Sequence, residues 1–160
     1  MTPRFEKAYN ALVKGFFEGT LAKETCVACA VGNIIADAQG GVIRKNKSFF
    51  DCSTDNSFWA RVFMTDGAIQ RINIDNKTEQ EQIFNLTGYE YGDLAKVEFA
   101  FERNTQISYD EYCDFSEKEI LEDQYNGLCA VVDVLLSLDN IEEQPTYKAK
   151  FREHKTLQPC

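Results

Sequence analysis

Ser116-Glu117-Lys118-Glu119-Ile120-Leu121-Glu122-Asp123-Gln124-Tyr125-Asn126-Gly127-Leu128-Cys129-Ala130-Val131-Val132-Asp133-Val134-Leu135-Leu136-Ser137-Leu138-Asp139 is the stretch that decides the fold class. Ser116 with Glu119 three residues on is a capping box, in which each side chain satisfies a backbone N–H that a helix start leaves unpaired. Behind it Ile120, Leu121, Leu128, Val131, Val132, Leu135, Leu136 and Leu138 recur at helical spacing, which predicts one long amphipathic helix to about residue 139. Within it Asn126-Gly127-Leu128-Cys129-Ala130 sets small residues in mid-helix. A helical glycine costs about 1 kcal/mol against alanine, so Gly127 is expected to face a close-packed neighbour.

Working outward, the helical signal repeats. Leu94, Val97 and Phe101 predict a helix over about 92–103, and Thr78 to Leu86 a shorter one ended by Thr87-Gly88. Tyr89, Tyr91 and Phe99 resemble a ligand-stacking set, but an aromatic stripe at this spacing is read as core. At the other end Thr2-Pro3 is an N-cap and first-turn pair, and Phe5, Tyr9, Leu12, Val13, Phe16 and Phe17 make the stripe of a first helix, about 3–19. Gly19-Thr20 closes it, and Ala22-Lys23-Glu24 reads as a short connection into a second helix over about 26–38, stopped by Gly40-Gly41. The two are expected to form an antiparallel αα-hairpin.

Between these helical blocks, residues 42–56 read as a loop carrying Cys52. Asp51, Ser53 and Asp55 have the alternation of a calcium loop without its glycine and closing glutamate, and that reading is rejected. Two apolar runs flank Thr65-Asp66-Gly67, which favours a short β-hairpin near residues 57–74. Pro145 interrupts the pattern before a last amphipathic segment near Tyr147 to Arg152. The fold class is therefore mainly α: a compact multi-helix domain with one short β-hairpin, residues 1–154 forming a single domain and 155–160 a loose tail.

Chemistry is hinted at in one place, Thr25-Cys26-Val27-Ala28-Cys29-Ala30-Val31-Gly32-Asn33. With Thr25 as N-cap, both thiols would lie at the positive end of the helix dipole, which lowers thiol pKa and favours the thiolate that binds metal or attacks a disulfide. Cysteine is also a small, readily buried hydrophobe, so Cys26, Cys29 and Ala30 could instead line a close helix contact. The other small-residue helical surface with a cysteine is Gly127 and Cys129, and the two surfaces are expected to pack together, gathering three sulfurs. Cys52 or Cys113 would complete four ligands from a loop, so the candidate metal set is Cys26, Cys29, Cys129 and Cys52, for zinc or an iron–sulfur cluster.

Composition excludes more than it assigns. A net charge of −9 with no basic run longer than Arg44-Lys45-Asn46-Lys47 argues against nucleic acid as partner. No apolar run approaches a membrane span and no signal-peptide pattern opens the chain, so no membrane partner and a cytoplasmic location are expected. The six cysteines then read as reduced, metal-bound or transiently oxidised. The single His154 sits near the end of the chain, which leaves a Ser/His/Asp or Cys/His triad one badly placed base. Phosphate-loop, dinucleotide and zincin motifs are missing, and the C-x-x-C lacks the strand-before-helix context of a thioredoxin-like fold.

On Cys26-x-x-Cys29-Ala30-Val31-Gly32-Asn33-Ile34 and Asn126-Gly127-Leu128-Cys129-Ala130, with Trp59, Phe63, Thr65, Asp66 and Gly67 and a helix like Gly92 to Glu102, the chain resembles a family of small uncharacterised proteins of Bacteroidetes and their phages. The resemblance spans most of the chain and implies no established activity. Some members carry an automatic label as a component of a sodium-translocating NADH-quinone reductase, and the residues here oppose it. The plant-type ferredoxin spacing C-x₄-C-x₂-C would need a cysteine where Leu21 stands, and neither a membrane anchor nor a flavin domain is legible. The expectation is a small non-enzymatic intracellular accessory or interaction protein with a protein partner and a structural, metal-competent cysteine cluster. The alternatives are a thiol–disulfide redox protein using Cys26 and Cys29, or a purely structural helical protein that binds through exposed aromatics.

Overall fold

The structure, a computed structural model, describes residues 2–25, 27–45, 50–53 and 77–142. In chain order these form α1 (Pro3–Glu18), α2 (Ala30–Ala38), β1 (Val42–Lys45), β2 (Phe50–Ser53), α3 (Lys77–Thr87), α4 (Tyr91–Asn104), a 3₁₀ helix (Tyr109–Asp114) and α5 (Glu117–Leu138). Helices dominate, as the periodicity predicts.

The ends of the helices follow from local chemistry. Thr2 Oγ1 accepts from the Phe5 N–H, Pro3 opens α1, and Gly19 closes it at φ 69°, a left-handed backbone that glycine adopts without steric cost. In α5 the Ser116 hydroxyl accepts from the Glu119 N–H at 3.3 Å, while the Glu119 carboxylate accepts from the Ser116 N–H at 2.8 Å. The capping box is formed as predicted.

At the centre stands α2, in which every residue from Ala30 to Ala36 is buried. A helix covered almost all round must have neighbours on every side. It packs on α1, α3, α4 and β1, and α5 closes the bundle against α4 and α1. Phe5, Leu12, Ile35, Ile83, Tyr89, Leu94, Phe101, Leu128 and Leu135 meet in one core. Gly15 meets Asn33 and Lys14 pairs with Asp37, so α1 and α2 run antiparallel as expected. Among the described residues, no helix is long and apolar enough to cross a membrane.

Three expectations change. Within the stretch read as a loop, residues 42–45 and 50–53 form a strand pair: β1 and β2 are antiparallel, with Val42 opposite Ser53, Ile43 opposite Cys52, Arg44 opposite Asp51 and Lys45 opposite Phe50. The pair was hidden because β1 is mostly exposed and only Ile43 packs on the core, too little for an alternating pattern. The connection between α1 and α2 runs from residue 19 to 29 and is not the three-residue link expected. Helix α2 starts at Ala30, four residues later than expected. The hairpin predicted near 57–74, the segment at 147–152 and the tail at 155–160 lie outside the described residues.

The two chain ends of the described bundle are clasped together. Asp139, whose side chain is 0% exposed, pairs with the Arg4 guanidinium and accepts from the Thr2 hydroxyl and, at 3.4 Å, from the Tyr89 hydroxyl. Arg4 also donates to the Gly88 carbonyl at 2.9 Å and to the Leu138 carbonyl at 3.3 Å, with its guanidinium 4.6 Å over the Tyr89 ring. Burial, and then the Asp139 charge, push the Tyr89 phenol well up.

Candidate functional site

The cysteine stretch is a wound loop that ends in a helix cap. Ala22 N–H donates to the Ala28 carbonyl at 2.7 Å, and the Ala28 and Cys29 N–H groups donate to the Thr25 carbonyl at 3.1 and 2.8 Å. Glu24 takes a positive φ of 58° at the tightest point. The organising side chain is Asn33. From the first turn of α2 its Nδ2 donates to the carbonyls of Thr20, Ala28 and Cys29 at 2.8, 3.1 and 3.0 Å, and its Oδ1 accepts from the Thr20 hydroxyl at 3.2 Å. These bonds tie Thr20, Ala28 and Cys29 to one side chain and stop the helix from extending back toward Thr25. The N-cap is accordingly Cys29, whose Sγ accepts from the Gly32 N–H at 3.2 Å, and not Thr25, whose hydroxyl instead donates to the Ala22 carbonyl.

Helix α4 holds the outside of the loop. Lys23 Nζ donates to the Thr105 carbonyl at 2.8 Å, the Glu24 N–H donates to Glu102 Oε1 at 3.0 Å, and Lys23 bridges to Ser108 along the backbone. Glu98, one helical turn before Glu102, reaches the head of α2, where it hydrogen-bonds the Cys29 thiol and the Val31 N–H. Its Oε2 is buried and finds no hydrogen-bond partner among the described residues.

This setting reverses the expectation for thiol reactivity. Cys29 is 1% exposed and belongs to the core. Burial is the largest influence on it, followed by the charge of Glu98 and the hydrogen bond to Glu98, and together they push the thiol well above its usual range. The Gly32 N–H opposes them without overcoming them. The helix N-terminus favours an anion as expected, but removing a thiol from water and facing it with a carboxylate outweighs a dipole term of about 1 kcal/mol. The carboxyl of Glu98 is raised to about 7, first by burial, then by the neighbouring Glu102 charge, against the hydrogen bond with Cys29.

The four sulfurs of the candidate metal set are placed unequally. Cys29 caps α2 inside the core, and Cys129 is half-buried on α5. Cys52 lies on β2 opposite Ile43, and Cys26 lies outside the described residues. Among the described residues no three His, Cys, Asp or Glu side chains come together in a group able to hold a metal. Cys113 sits exposed on the 3₁₀ helix.

Gly127 does have the close neighbour its position implies, but a different one. A Cβ there would meet Phe101 Cδ2 at 2.9 Å and the Thr105 side chain, both at the C-terminal end of α4. The glycine therefore serves the α4–α5 contact and not a seam with Cys29, Ala30 and Gly32. The aromatic trio also separates: Tyr89 is in the core, Tyr91 is half-buried, and Phe99 is 61% exposed under the Arg103 guanidinium.

Elsewhere on the surface an open groove of about 350 Å³ lies between β1, the 3₁₀ helix and the start of α5. Tyr112, Phe115, Ile120 and Leu121 give it apolar walls, and Phe115 remains 40% exposed. The Tyr112 hydroxyl accepts from Gln124 Nε2 at 2.6 Å, and its ring packs edge-on against Tyr109.

Sequence reasoning missed Asn33, Glu98 and this groove. A signal existed for Asn33, an amide set among the apolar residues Ala30 to Ala36 that must be bonded if buried. One existed for Glu98 too, a carboxylate at the i+4 position of the Leu94, Val97 and Phe101 stripe and hence on the buried face of its helix. Compared with family models, with curated proteins and with solved structures, the chain matches none.

Proposed function

We propose that this chain is a small non-enzymatic accessory protein that acts by binding a protein partner, with its cysteine loop serving as a structural corner. The observation that carries this reading is the groove beside Phe115, whose 40% exposed ring stands among the half-buried Tyr112, Ile120 and Leu121, where a monomer would gain by covering them. A photo-crosslinking amino acid at position 115, compared with one at exposed Glu81 on α3, tests it in the cell that makes the protein. Discrete protein adducts from position 115 alone are expected, and the same smear of adducts from both positions would reject it.

The thiol–disulfide alternative is disfavoured at Cys29, because a redox cysteine must present a thiolate and this one is buried, neutral and engaged as a cap. The metal clause requires Cys29 to exchange its contacts with Gly32 and Glu98 for a metal bond. Metal analysis and the visible spectrum of protein purified without oxygen decide that clause. Stoichiometric zinc or an iron–sulfur band keeps it, and a colourless, metal-free protein removes it.

A further inference from the structure

We propose that the groove beside Phe115 receives a basic amphipathic segment of a partner protein, a short helix or strand with one or two large apolar anchors flanked by Lys or Arg. The inference rests on the partner-binding reading and specifies the chemistry of the partner. Its first support is the acidity of the two elements that wall the groove, the 3₁₀ helix and the start of α5, from which Glu117 lines the groove itself. Residues 109–124 hold seven carboxylates (Asp110, Glu111, Asp114, Glu117, Glu119, Glu122, Asp123) against one cation, Lys118, a net −6 within a chain whose total is −9. All but Asp123 are exposed. Such a concentration gives the elements beside the groove a negative potential, which attracts a cationic partner and repels nucleic acid, anionic lipid and a second copy of the same elements.

The second support is inside the groove. Lys45, reaching over from β1, already lies 5.7 Å from the centre of the Tyr112 ring. The site thus offers an aromatic face that holds a cation, and an incoming Arg or Lys can exchange for Lys45 there. The third is rigidity. Capping boxes pin both ends of the wall: Glu111 accepts from the Ser108 N–H at 3.1 Å and Glu119 from the Ser116 N–H, bonds that hold both carboxylates below the usual range and hence charged. Asp123 accepts from the Gln106 and Ile107 N–H groups at 2.8 and 2.9 Å and fixes the entry into the 3₁₀ helix. Little order then has to be created on binding, which preserves affinity. A volume of about 350 Å³ accommodates the one or two anchors proposed.

The test uses the full chain, isotopically labelled, titrated with three designed peptides of equal length: an amphipathic one with Lys/Arg and Leu/Trp, a scramble of the same composition, and an amphipathic Glu version. The expected result is backbone shifts confined to Tyr112, Phe115, Ile120, Leu121 and Lys45 with the basic amphipathic peptide. Affinity should fall by about tenfold on Phe115→Ala, the loss of one buried aromatic anchor contact, and severalfold between about 50 and about 300 mM salt. Glu117→Gln with Glu122→Gln, both exposed and away from the core, should weaken the basic peptide alone. Equal binding of peptide and scramble, unaffected by Phe115→Ala, would mean nonspecific charge attraction and overturn the proposal. Preference for the Glu version at the same residues overturns the basic partner but leaves partner binding at this groove intact. Silence of the groove to every peptide overturns both. Concentration-dependent self-association that shifts the groove and β1 together overturns it in favour of a second copy.

Discussion

Gly15 on α1 and Asn33 on α2 face each other so closely that a methyl group on Gly15 would lie 2.8 Å from the Asn33 Cγ. The carboxamide cannot retreat, because it is bonded to Thr20, Ala28 and Cys29. Gly15→Ala should therefore destabilise the protein by about 1–3 kcal/mol despite the better helix former. Asn33→Ala should cost about 2–4 kcal/mol, since it strips partners from buried carbonyls. In the Asn33→Ala background the space opens, and Gly15→Ala should turn neutral or stabilising. Urea titrations of the four proteins make the cycle, and additive effects would contradict this coupling.

Two other helical glycines should behave oppositely. Gly127→Ala drives a methyl into Phe101 and Thr105, both fully packed, and is expected to lower stability by about 1–3 kcal/mol. Gly92→Ala at the start of α4 meets nothing within contact distance and should raise stability by up to about 1 kcal/mol. The same denaturation assay reads both.

The buried carboxyl of Glu98 makes stability depend on pH. Its folded pKa, about 7, exceeds its ordinary 4.5, so between those values the folded state holds the proton that the unfolded state has lost. Stability contributed by this group is full below about 4.5 and is lost as pH rises through 7; Glu102, also raised by burial, adds in the same sense. Glu98→Gln should flatten the fall in unfolding free energy across that window. An unchanged slope in the variant would rule out Glu98 as its source.

Thiol accessibility separates the cysteines. At neutral pH iodoacetamide should modify Cys113, which is exposed, well before Cys29, which should react only after denaturation. Peptide mapping of the alkylated sites checks the order, and fast labelling of Cys29 in the folded protein would revive its redox role.

The Arg4–Asp139 clasp should show an asymmetry. Asp139 is fully enclosed, while Arg4 is 33% exposed and keeps access to water. Arg4→Ala leaves a buried carboxylate without its cation and is expected to cost about 3 kcal/mol or more; Asp139→Asn leaves a guanidinium that can turn outward and should cost less. Thermal unfolding of the two variants compares them.

By itself the sequence determined the helical elements. Ser116 with Glu119, Thr2 with Pro3 and the stripes of Phe5 to Phe16 and Leu128 to Leu136 specify caps and buried faces within a few residues of chain, which is why α1, α3, α4 and α5 lie where periodicity puts them. Tertiary structure decided what lies at the head of α2. Whether Thr25 or Cys29 caps the helix depends on Asn33 reaching back to three carbonyls under the relief of Gly15. Whether a thiol there is acidic depends first on its burial in the assembled core and then on a glutamate 69 positions further along the chain, on another helix. The partner of Gly127 was open for the same reason: a small residue announces that something approaches, and only the packing of α4 on α5 names Phe101 and Thr105 as what does. Local spacing encodes local hydrogen bonds; burial, the faces that meet and the charges they bring with them belong to the assembled fold.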